Sequence, residues 1–276
     1  MKNIFYYFLC LLFFMGNISC SSDNESKEEN GRPHSITLLN SKGESTDKIR
    51  FYYQDNCITQ IVAEKDNTTD YKYENNEITS IWSSPTDKEM ADGNSVTRFS
   101  REGNKINIVT SMDPFWETYE KEIELDENDI PIKMTYKGMY FPDSEYDQEG
   151  MYYSTFKFDP KTKKLLEEEI FHFDSSTKLF TYSYKYEDTP GAFSEVNLPL
   201  WFHAYINHSL RDGSTAYKSL FINYVNNISE KNIEYIADDI VYHTKVNYTY
   251  SYNKNNFPIT INARCEEVES TIRIKY

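Results

Sequence analysis

Residues 71–81, YKYENNEITSI, set a pattern that much of the chain follows. Two tyrosines alternate with charged residues, a polar turn follows, and a second alternating run begins after it. Residues 51–61, FYYQDNCITQI, carry the same pattern twenty residues earlier. Aromatic and β-branched residues at a period of two are typical of strands, and Asn or Asp tolerates the positive φ of a tight turn. Each unit therefore predicts a β-hairpin, with its turn at Asp55-Asn56 or at Asn75-Asn76.

Later segments repeat this hairpin in looser forms. Residues 125–132, LDENDIPI, are matched closely by residues 252–259, YNKNNFPI. Hairpins joined by short loops produce an antiparallel meander, because parallel strands need a crossover of a dozen or more residues. The sequence thus predicts a mainly β domain over residues 35–276, with about ten to fourteen strands. We expect an open, curved single sheet, such as a half-barrel.

The isoleucines of the repeat constrain the faces of this sheet. Ile58 and Ile61 are three residues apart, and so are Ile78 and Ile81. Strict alternation would direct the two members of each pair to opposite faces. Either a β-bulge after the turn shifts the phase, or both faces are partly apolar. We favour aromatic residues on both faces without a thick closed core, because a tyrosine ring packs while its hydroxyl stays in water.

Residues 1–19 have the composition of an export signal. Lys2 provides a positive start, an apolar run covers residues 4–15, and small or polar residues lead to Cys20. The run is shorter than the roughly 20 residues of a membrane-spanning helix. An ordinary cleaved signal followed by a chance cysteine is the alternative. Residues 16–20, GNISC, resemble a bacterial lipobox, and this resemblance implies that the cysteine is acylated, with palmitate-type chains, and becomes the first mature residue.

A polar, acidic tether over residues 20–34 follows the signal. Residues 21–32 include no apolar side chain, so the segment has nothing to bury and stays solvated. Fully extended, the tether up to residue 32 reaches about 40–45 Å. Asp23 and Glu25 resemble the surface-export signal of Bacteroidota lipoproteins, which implies an outer-membrane protein that faces the cell exterior. A charged linker without such a signal is the alternative.

The hairpin unit itself has a family resemblance. Residues 73–81, YENNEITSI, are similar to the YD repeat of RHS-type proteins, in which Tyr-Asp precedes Gly or Asn and then Leu or Ile and Thr. Together with the lipobox and the tether, these degenerate repeats resemble Bacteroidota surface lipoproteins of unknown function. The resemblance covers residues 36–276 and brings no catalytic residues with it. RHS shells enclose toxins, but this chain has too few repeats to form a shell.

One segment departs from the β pattern. Leu198, Trp201, Phe202 and Tyr205 recur at the spacing of one helix face, and Gly213 provides a stop. We therefore predict an amphipathic helix near residues 198–211, packed against the sheet. Binding to a membrane surface is the alternative, but the polar face lacks the lysines that such helices use.

Charge and motifs exclude several functions. A formal net charge of −15 repels nucleic acid. The five histidines (His34, His172, His203, His208 and His243) include no i, i+4 pair for zinc. Neither a Gly-x-Ser-x-Gly elbow nor a phosphate-binding glycine motif occurs. The acidic residues 143–149 miss the EF-hand spacing for calcium. The sequence accordingly predicts no catalytic, cofactor or metal site.

Two features bear on ligands and on closure of the sheet. Trp82 and Trp116, with surface tyrosines, are candidate ligand contacts, for instance for a glycan; cross-strand packing explains most aromatics equally well. Cys57 and Cys265 come from the first and the last hairpins, so they would approach each other only in a closed barrel. With an open sheet, we expect two free thiols.

The leading hypothesis is a non-catalytic surface lipoprotein, anchored in the outer membrane through Cys20. It would bind a macromolecule, protein or glycan, or serve as an accessory subunit of an envelope complex. The second hypothesis is a carrier in which a half-barrel shields an acyl chain or another apolar ligand. A glycan-acting enzyme that uses a carboxylate pair is the third.

Overall fold

A computed structural model of the protein describes residues 31–65, 67–85, 94–113, 117–140, 152–172, 176–209, 225–237, 240–266 and 268–276. The described strands are β1 Ser35–Leu39, β2 Ser45–Gln54, β3 Cys57–Ala63, β4 Asn67–Glu74, β5 Glu77–Pro85, β6 Asn94–Glu102, β7 Lys105–Asp113, β8 Glu117–Leu125, β9 Pro131–Tyr140, β10 Tyr152–Phe158, β11 Leu165–His172, β12 Lys178–Pro190, β13 Asn226–Ala237, β14 Ile240–Tyr252, β15 Pro258–Cys265 and β16 Val268–Lys275. Helix α1, Leu200–Ser209, lies between β12 and β13. Within the described residues, no helix has the length and apolarity needed to cross a membrane.

The strands form a closed barrel. Each strand pairs antiparallel with its neighbours in the chain, and β1 also pairs with β16. Five residue pairs make this closure, from Ser35 opposite Lys275 to Leu39 opposite Thr271. The prediction of an open, curved single sheet is therefore wrong. Its strand number is also too low, since the barrel has sixteen strands. Closure removes the two exposed edges that an open sheet would leave and encloses an apolar inner face.

The inner face holds the core. Along each strand, every second side chain points inward, and many of these are aliphatic or aromatic and almost fully buried. Examples from six strands are Ile36, Phe51, Ile81, Ile108, Ile123 and Ile272. An open sheet would expose this apolar inner face to water. Closure of the barrel removes that exposure, which is the physical reason for it.

A barrel of sixteen strands is too wide for its own side chains to fill. Residues 191–206, which we call the plug, fill one end of this barrel. Phe193 of the plug meets Phe51 edge to face, with ring centroids 5.2 Å apart. Trp201 lies 5.1 Å from Phe99 by the same measure. Helix α1 therefore packs inside the barrel, where its first residues belong to the plug, and not on the outside of an open sheet.

The two ends of the barrel differ. The plugged end carries the turns at residues 55–56, 75–76 and 103–104, together with residues 31–34 and Tyr276. The far end carries the turn at residues 40–44 and the tips of hairpins β13–β14 and β15–β16.

A β-bulge explains the isoleucine spacing. Tyr53 pairs with Ile58 but Tyr52 pairs with Gln60, so Thr59 is left over. Ile58 and Ile61 consequently both point inward and both are fully buried. The second repeat has the same shift, between Tyr73 opposite Ile78 and Lys72 opposite Ser80. The bulge is thus the alternative that the structure supports, and our preference for two partly apolar faces is wrong at these positions.

The bulged threonine is part of the unit. The Thr59 hydroxyl donates to the Tyr52 carbonyl across the hairpin at 3.2 Å, and the Thr79 hydroxyl does the same to Lys72 at 3.4 Å. A local hydrogen bond of this kind stabilises the extra residue. The turns have the expected geometry, because Asp55, Asn75 and Asn76 have φ of 55°, 52° and 66°.

The outer face of the barrel is charged. Side chains that alternate with the buried ones include Lys48, Arg50, Lys72, Arg98, Lys133, Glu167, Lys185 and Arg273. Two glutamates on this face each bridge lysines of both neighbouring strands. Glu122 accepts from Lys105 at 2.8 Å and from Lys137 at 2.6 Å. Glu230 likewise accepts from Lys185 and from Lys245.

Candidate functional site

A band of aromatic rings lines the inner face toward the far end, with one ring from each of strands β9 to β14. We call this band the aromatic wall; it comprises Tyr136, Tyr152, His172, Phe180, Tyr235 and Tyr242. Cross-strand register places several of these residues directly opposite each other, although Phe180 pairs with Ile170 and not with His172. Tyr152 pairs with His172, Phe180 pairs with Tyr235, and Tyr235 pairs with Tyr242. All six are partly exposed, in contrast to the buried core at the plugged end.

The rings of the aromatic wall are stacked. Tyr136 and Tyr152 have centroids 5.9 Å apart and planes within 7° of parallel. Tyr235 and Tyr242 are 5.0 Å apart at 11°, and Phe180 stacks on Tyr235 at 6.0 Å and 30°. Stacked pairs across strands stabilise the sheet by roughly 0.2–1 kcal/mol each. Because the rings stay partly exposed, they also present flat apolar surface to anything that enters the far end.

Two lysines lie on the same inner surface. The Lys121 ammonium is 5.9 Å from the Tyr136 ring centroid, and the Lys231 ammonium is 4.6 Å from that of Tyr182. An amine over an aromatic face is attracted by the ring quadrupole. The inner wall thus combines aromatic faces with ionisable groups of both signs, because Glu168, which is 2 % exposed, faces inward opposite Tyr182.

The strands β4 to β7 line the inside differently. Their inward residues at this level are hydroxyl side chains that bond to one another. Thr69 lies 3.3 Å from Ser83, and Thr97 lies 2.9 Å from Thr110, between hydroxyl oxygens. Thr69 and Thr97 are buried. Their hydroxyl groups are therefore already hydrogen-bonded. This side of the interior offers less to a ligand than the partly exposed rings of the aromatic wall.

Tyrosines at the plugged end have a structural role instead. The hydroxyl groups of Tyr53, Tyr186 and Tyr276 donate to the carbonyls of Pro33, Leu165 and Pro258 at 2.7, 2.7 and 3.1 Å. Burial raises the pKa of each of these phenols well above its usual range. Burial also raises the pKa of Tyr248 to about 12. These phenols stay neutral and hold the plugged end together.

A polar groove on the outer face is a weaker candidate. It has a volume of about 400 Å³ and is lined by residues of β11 to β14, among them Glu234, His243 and Lys245. His243 lies 3.7 Å from Glu234, between nitrogen and carboxylate oxygen. Lys245 is hydrogen-bonded to Glu230. Glu234 and Lys245 each have a partner already, so they offer less to a ligand than the aromatic wall.

The structure separates the residues that the sequence singled out. Trp82 points outward, is 44 % exposed, and has the Lys72 ammonium 5.1 Å from its ring centroid. It does not belong to the aromatic wall. Trp116, Cys20 and the acidic residues 143–149 lie outside the described residues.

The remaining candidates do not converge on a metal site. His203 is buried on α1, and His172 belongs to the aromatic wall. No group of three or more His, Cys, Asp or Glu side chains in the described part of the chain is arranged to hold a metal ion. Cys57 and Cys265 are free thiols. Closure of the barrel does not bring them together, because Cys57 lies at the plugged end and Cys265 at the far end.

Sequence reasoning missed the aromatic wall as a set. Its members come from six strands, and only alternation within each strand is visible in the sequence. Tyr248 and Tyr250 show the same alternation, yet these two pack against the core. Which tyrosines line the far end depends on barrel closure and on the extent of the plug, and no local pattern encodes either.

Comparison with known proteins gives structural likenesses only. No family model matches the chain, and no curated protein matches it. A porin-like protein from Bacteroides vulgatus aligns over 89 % of this chain and 98 % of its own, with 10 % identity and a TM-score of 0.41. A porin-like protein from Bacteroides uniformis aligns over 88 % and 96 %, with 11 % identity and a TM-score of 0.37. The Photorhabdus luminescens Tc holotoxin pore aligns over 83 % of this chain and 16 % of its own, with 8 % identity and a TM-score of 0.21. At these values the similarities do not identify a function.

Proposed function

We propose that the chain is a lipid-anchored, non-catalytic binding protein of the outer membrane, which holds a macromolecular partner on the aromatic wall. The observation that carries this proposal is the contrast between the two ends of one barrel. The plugged end is filled by buried side chains of the plug, whereas the described residues toward the far end include stacked, partly exposed rings. Exposed aromatic surface of this kind is enriched in binding sites.

The path of the chain at residue 31 supports the orientation of the anchor. Gly31 has φ of +60° and lies between Phe257 and Glu195 of the plug; an added Cβ would be 2.4 Å from the Phe257 ring. Residues 31–34 therefore run along the plugged end. A tether attached at an acylated Cys20 would hold the plugged end toward the membrane and direct the far end away from it.

The charged outer face supports a barrel that stands outside the bilayer. Barrels that span an outer membrane carry an apolar band outward and polar residues inward. Here the inward residues form the apolar core, and the outward residues include Arg50, Lys72 and Arg98. Charged side chains at the bilayer midplane cost about 2–4 kcal/mol each. We therefore infer attachment by lipid without a pore-forming role, although two structurally similar proteins are called porin-like.

A carrier of an apolar ligand is the second candidate, favoured by the position of the aromatic wall inside a closed barrel. The plug limits it, because Phe193 and Phe202 already occupy the plugged half of the interior. Such a ligand would have to lie wholly in the far half, against rings whose hydroxyl groups stay polar.

Matched variants of the full acylated chain test the proposal. Tyr152→Ala with Tyr235→Ala removes two rings of the aromatic wall. Tyr153→Ala with Phe171→Ala removes a pair that stacks at 5.0 Å on the outer face and serves as the control. Each protein is used to capture partners from intact envelopes, and bound proteins, glycans and lipids are identified by mass spectrometry.

A partner retained by the wild type and the control, but lost by the inner variant, supports the proposal. Identical sets from all three proteins would contradict it. A single lipid species lost from the inner variant would establish the carrier instead. Cys20→Ala tests the membrane attachment separately: the variant should lack the mass of the acyl chains and should no longer be found in the membrane fraction.

A further inference from the structure

Strand β14 has a free backbone edge at the far end. Strand β13 pairs with it up to Ala237 opposite Ile240, whereas β15 pairs with it only as far as Val246, opposite Cys265. Residues 240–245, IVYHTK, thus have β13 on one side and, within the described ranges, no strand on the other. Alternate residues of a strand direct N–H and C=O groups to each side, so this edge presents unpaired donors and acceptors.

The free edge is also apolar and accessible. Ile240, Val241 and Tyr242 are 54 %, 48 % and 40 % exposed. Val268, which lies beside the gap opposite Cys265, is 72 % exposed. Proteins usually cover or charge such an edge, because it acts as a template for another strand. Here three consecutive apolar residues are exposed, and no strand from the described part of the chain covers them.

The free edge continues into the aromatic wall. Tyr242 belongs to both. Its ring stacks on Tyr235 at 5.0 Å, and its backbone pairs with β13 on one side and forms part of the free edge on the other. A strand added beside β14 would alternate its side chains between the inner and the outer face. Inward side chains would extend the row of rings, and outward ones would lie beside Val241 and His243.

Chemistry selects one class of occupant for this edge. Regularly spaced N–H and C=O groups are complemented by another polypeptide backbone, which a glycan or an acyl chain does not provide. The tether of this chain is unsuitable, because residues 21–32 have no apolar side chain. A second copy would bring together two chains of net charge −15. Residues 240–245 contain no acid, and the lysine among them is already paired with Glu230, which favours a neutral segment.

From these observations we infer that the partner contributes an extended polypeptide segment, which adds a strand to β14 along residues 240–245 and places alternate apolar side chains against Tyr242. This inference rests on the proposed function and narrows its partner to a protein. Main-chain hydrogen bonds would supply affinity, and the row of rings would supply specificity.

Hydrogen exchange on the wild-type full chain tests the inference directly. The probe is the acetylated peptide TVTYTV-amide at millimolar concentration, and the control peptide TVPYPV-amide has prolines in place of two threonines. Pairing should slow amide exchange in residues 240–245 with the first peptide and leave it unchanged with the second, because proline lacks the N–H donor.

A variant pair gives a second measurement. Val241→Glu places a charge at the edge and should weaken peptide binding by up to about fivefold, the effect of losing one cross-strand pair. Val62→Glu changes an outward valine on β3, whose two edges are both paired, and should leave binding unchanged.

Three results would overturn the inference. They are unchanged exchange at residues 240–245 with TVTYTV-amide, equal protection by the proline peptide, and a dimer in sedimentation that protects the same residues without peptide. The proposed function has its own readout. If the Tyr152 and Tyr235 variant still loses a partner while residues 240–245 stay unprotected, the strand-addition inference fails and the proposed function stands.

Discussion

The Phe193 ring of the plug meets the Phe51 ring of β2 edge to face, with centroids 5.2 Å apart, and neither side chain is more than 3 % exposed. This contact joins a segment that follows β12 to a strand near the start of the chain. It shows how the barrel is stabilised: the strands form the wall, and the plug supplies the apolar volume that a wide barrel needs.

Truncation of this contact should be costly. Phe193→Ala removes a fully buried ring and leaves a cavity, so we expect the free energy of unfolding to fall by about 3–5 kcal/mol. Urea denaturation followed by tryptophan fluorescence measures the change. Tyr52→Ala, on the outer face at 46 % exposure, should lower it by less than about 1 kcal/mol. A similar loss of unfolding free energy in both variants would show that the plug does not stabilise the core.

The turn of residues 252–259 gives a second prediction. The Asn253 side-chain oxygen accepts from the amides of Asn255 and Phe257 at 2.9 and 3.0 Å. Asn253→Ala removes both acceptor bonds and should lower the free energy of unfolding by about 1–2 kcal/mol. Asn253→Asp keeps the acceptor and should be tolerated. The natural control is Asp126, which accepts from Asn128 and Ile130 in the matching turn at 2.8 and 2.9 Å.

These paired turns show what the sequence determines locally. Residues 125–132 and 252–259 look alike, and they fold alike, with Asp129 and Asn256 at φ of 60° and 63°. Hairpins, turn residues and the position of helix α1 follow from patterns only a few residues long. Such patterns depend on φ preferences and periodicity, which neighbours in sequence decide.

Closure is not encoded in this local way. Ser35 pairs with Lys275 from almost the other end of the chain, and no spacing signals that contact. The inward direction of Ile61 depends on a bulge that alternation alone does not reveal. The apolar content of residues 191–206 predicts burial, but not burial inside a barrel. For the same reason the sequence does not predict the aromatic wall, which is assembled from six strands, and it points to the outward-facing Trp82 instead.

The Glu230 cluster predicts a pH dependence. Hydrogen bonds from Lys245, Lys185 and Asn232 lower the pKa of the Glu230 carboxyl from 4.5 to about 2. A carboxyl with a lowered pKa stabilises the fold above its unfolded value, and this contribution is lost as the pH falls from about 4.5 toward 2. Glu230→Gln should therefore flatten the stability profile in that window.

Urea unfolding of wild type and Glu230→Gln at several pH values measures this effect. Glu74→Gln, at the exposed end of β4, serves as the matched control and should leave the profile as in the wild type. Parallel profiles for wild type and Glu230→Gln across pH 2 to 4.5 would refute the assignment of the cause to this cluster.

The two cysteines predict a simple chemical result. Cys57 begins β3 at the plugged end and Cys265 ends β15 at the far end, with β2, β1 and β16 between their strands. A disulfide needs Cα atoms within about 7 Å. Alkylation of the denatured, unreduced protein should therefore modify both thiols. An intact mass two protons lower, with no alkylation, would instead require a different arrangement of the strands.

The same thiols provide the test of membrane orientation. If Cys20 carries the anchor, residues 31–34 bring the tether to the plugged end, so a label on Cys57 should be closer to the lipid than one on Cys265. The nine residues of β7 span about 30 Å along a strand, which sets the scale of the difference between the two ends. Energy transfer to an acceptor lipid in vesicles should be more efficient from Cys57, measured with Cys265→Ser and Cys57→Ser variants that each keep one label.

The unacylated Cys20→Ala protein, which should show no transfer from either position, controls for direct adsorption. Equal transfer from both positions in the acylated protein would mean that the tether lets the barrel tumble, and stronger transfer from Cys265 would place the aromatic wall against the membrane.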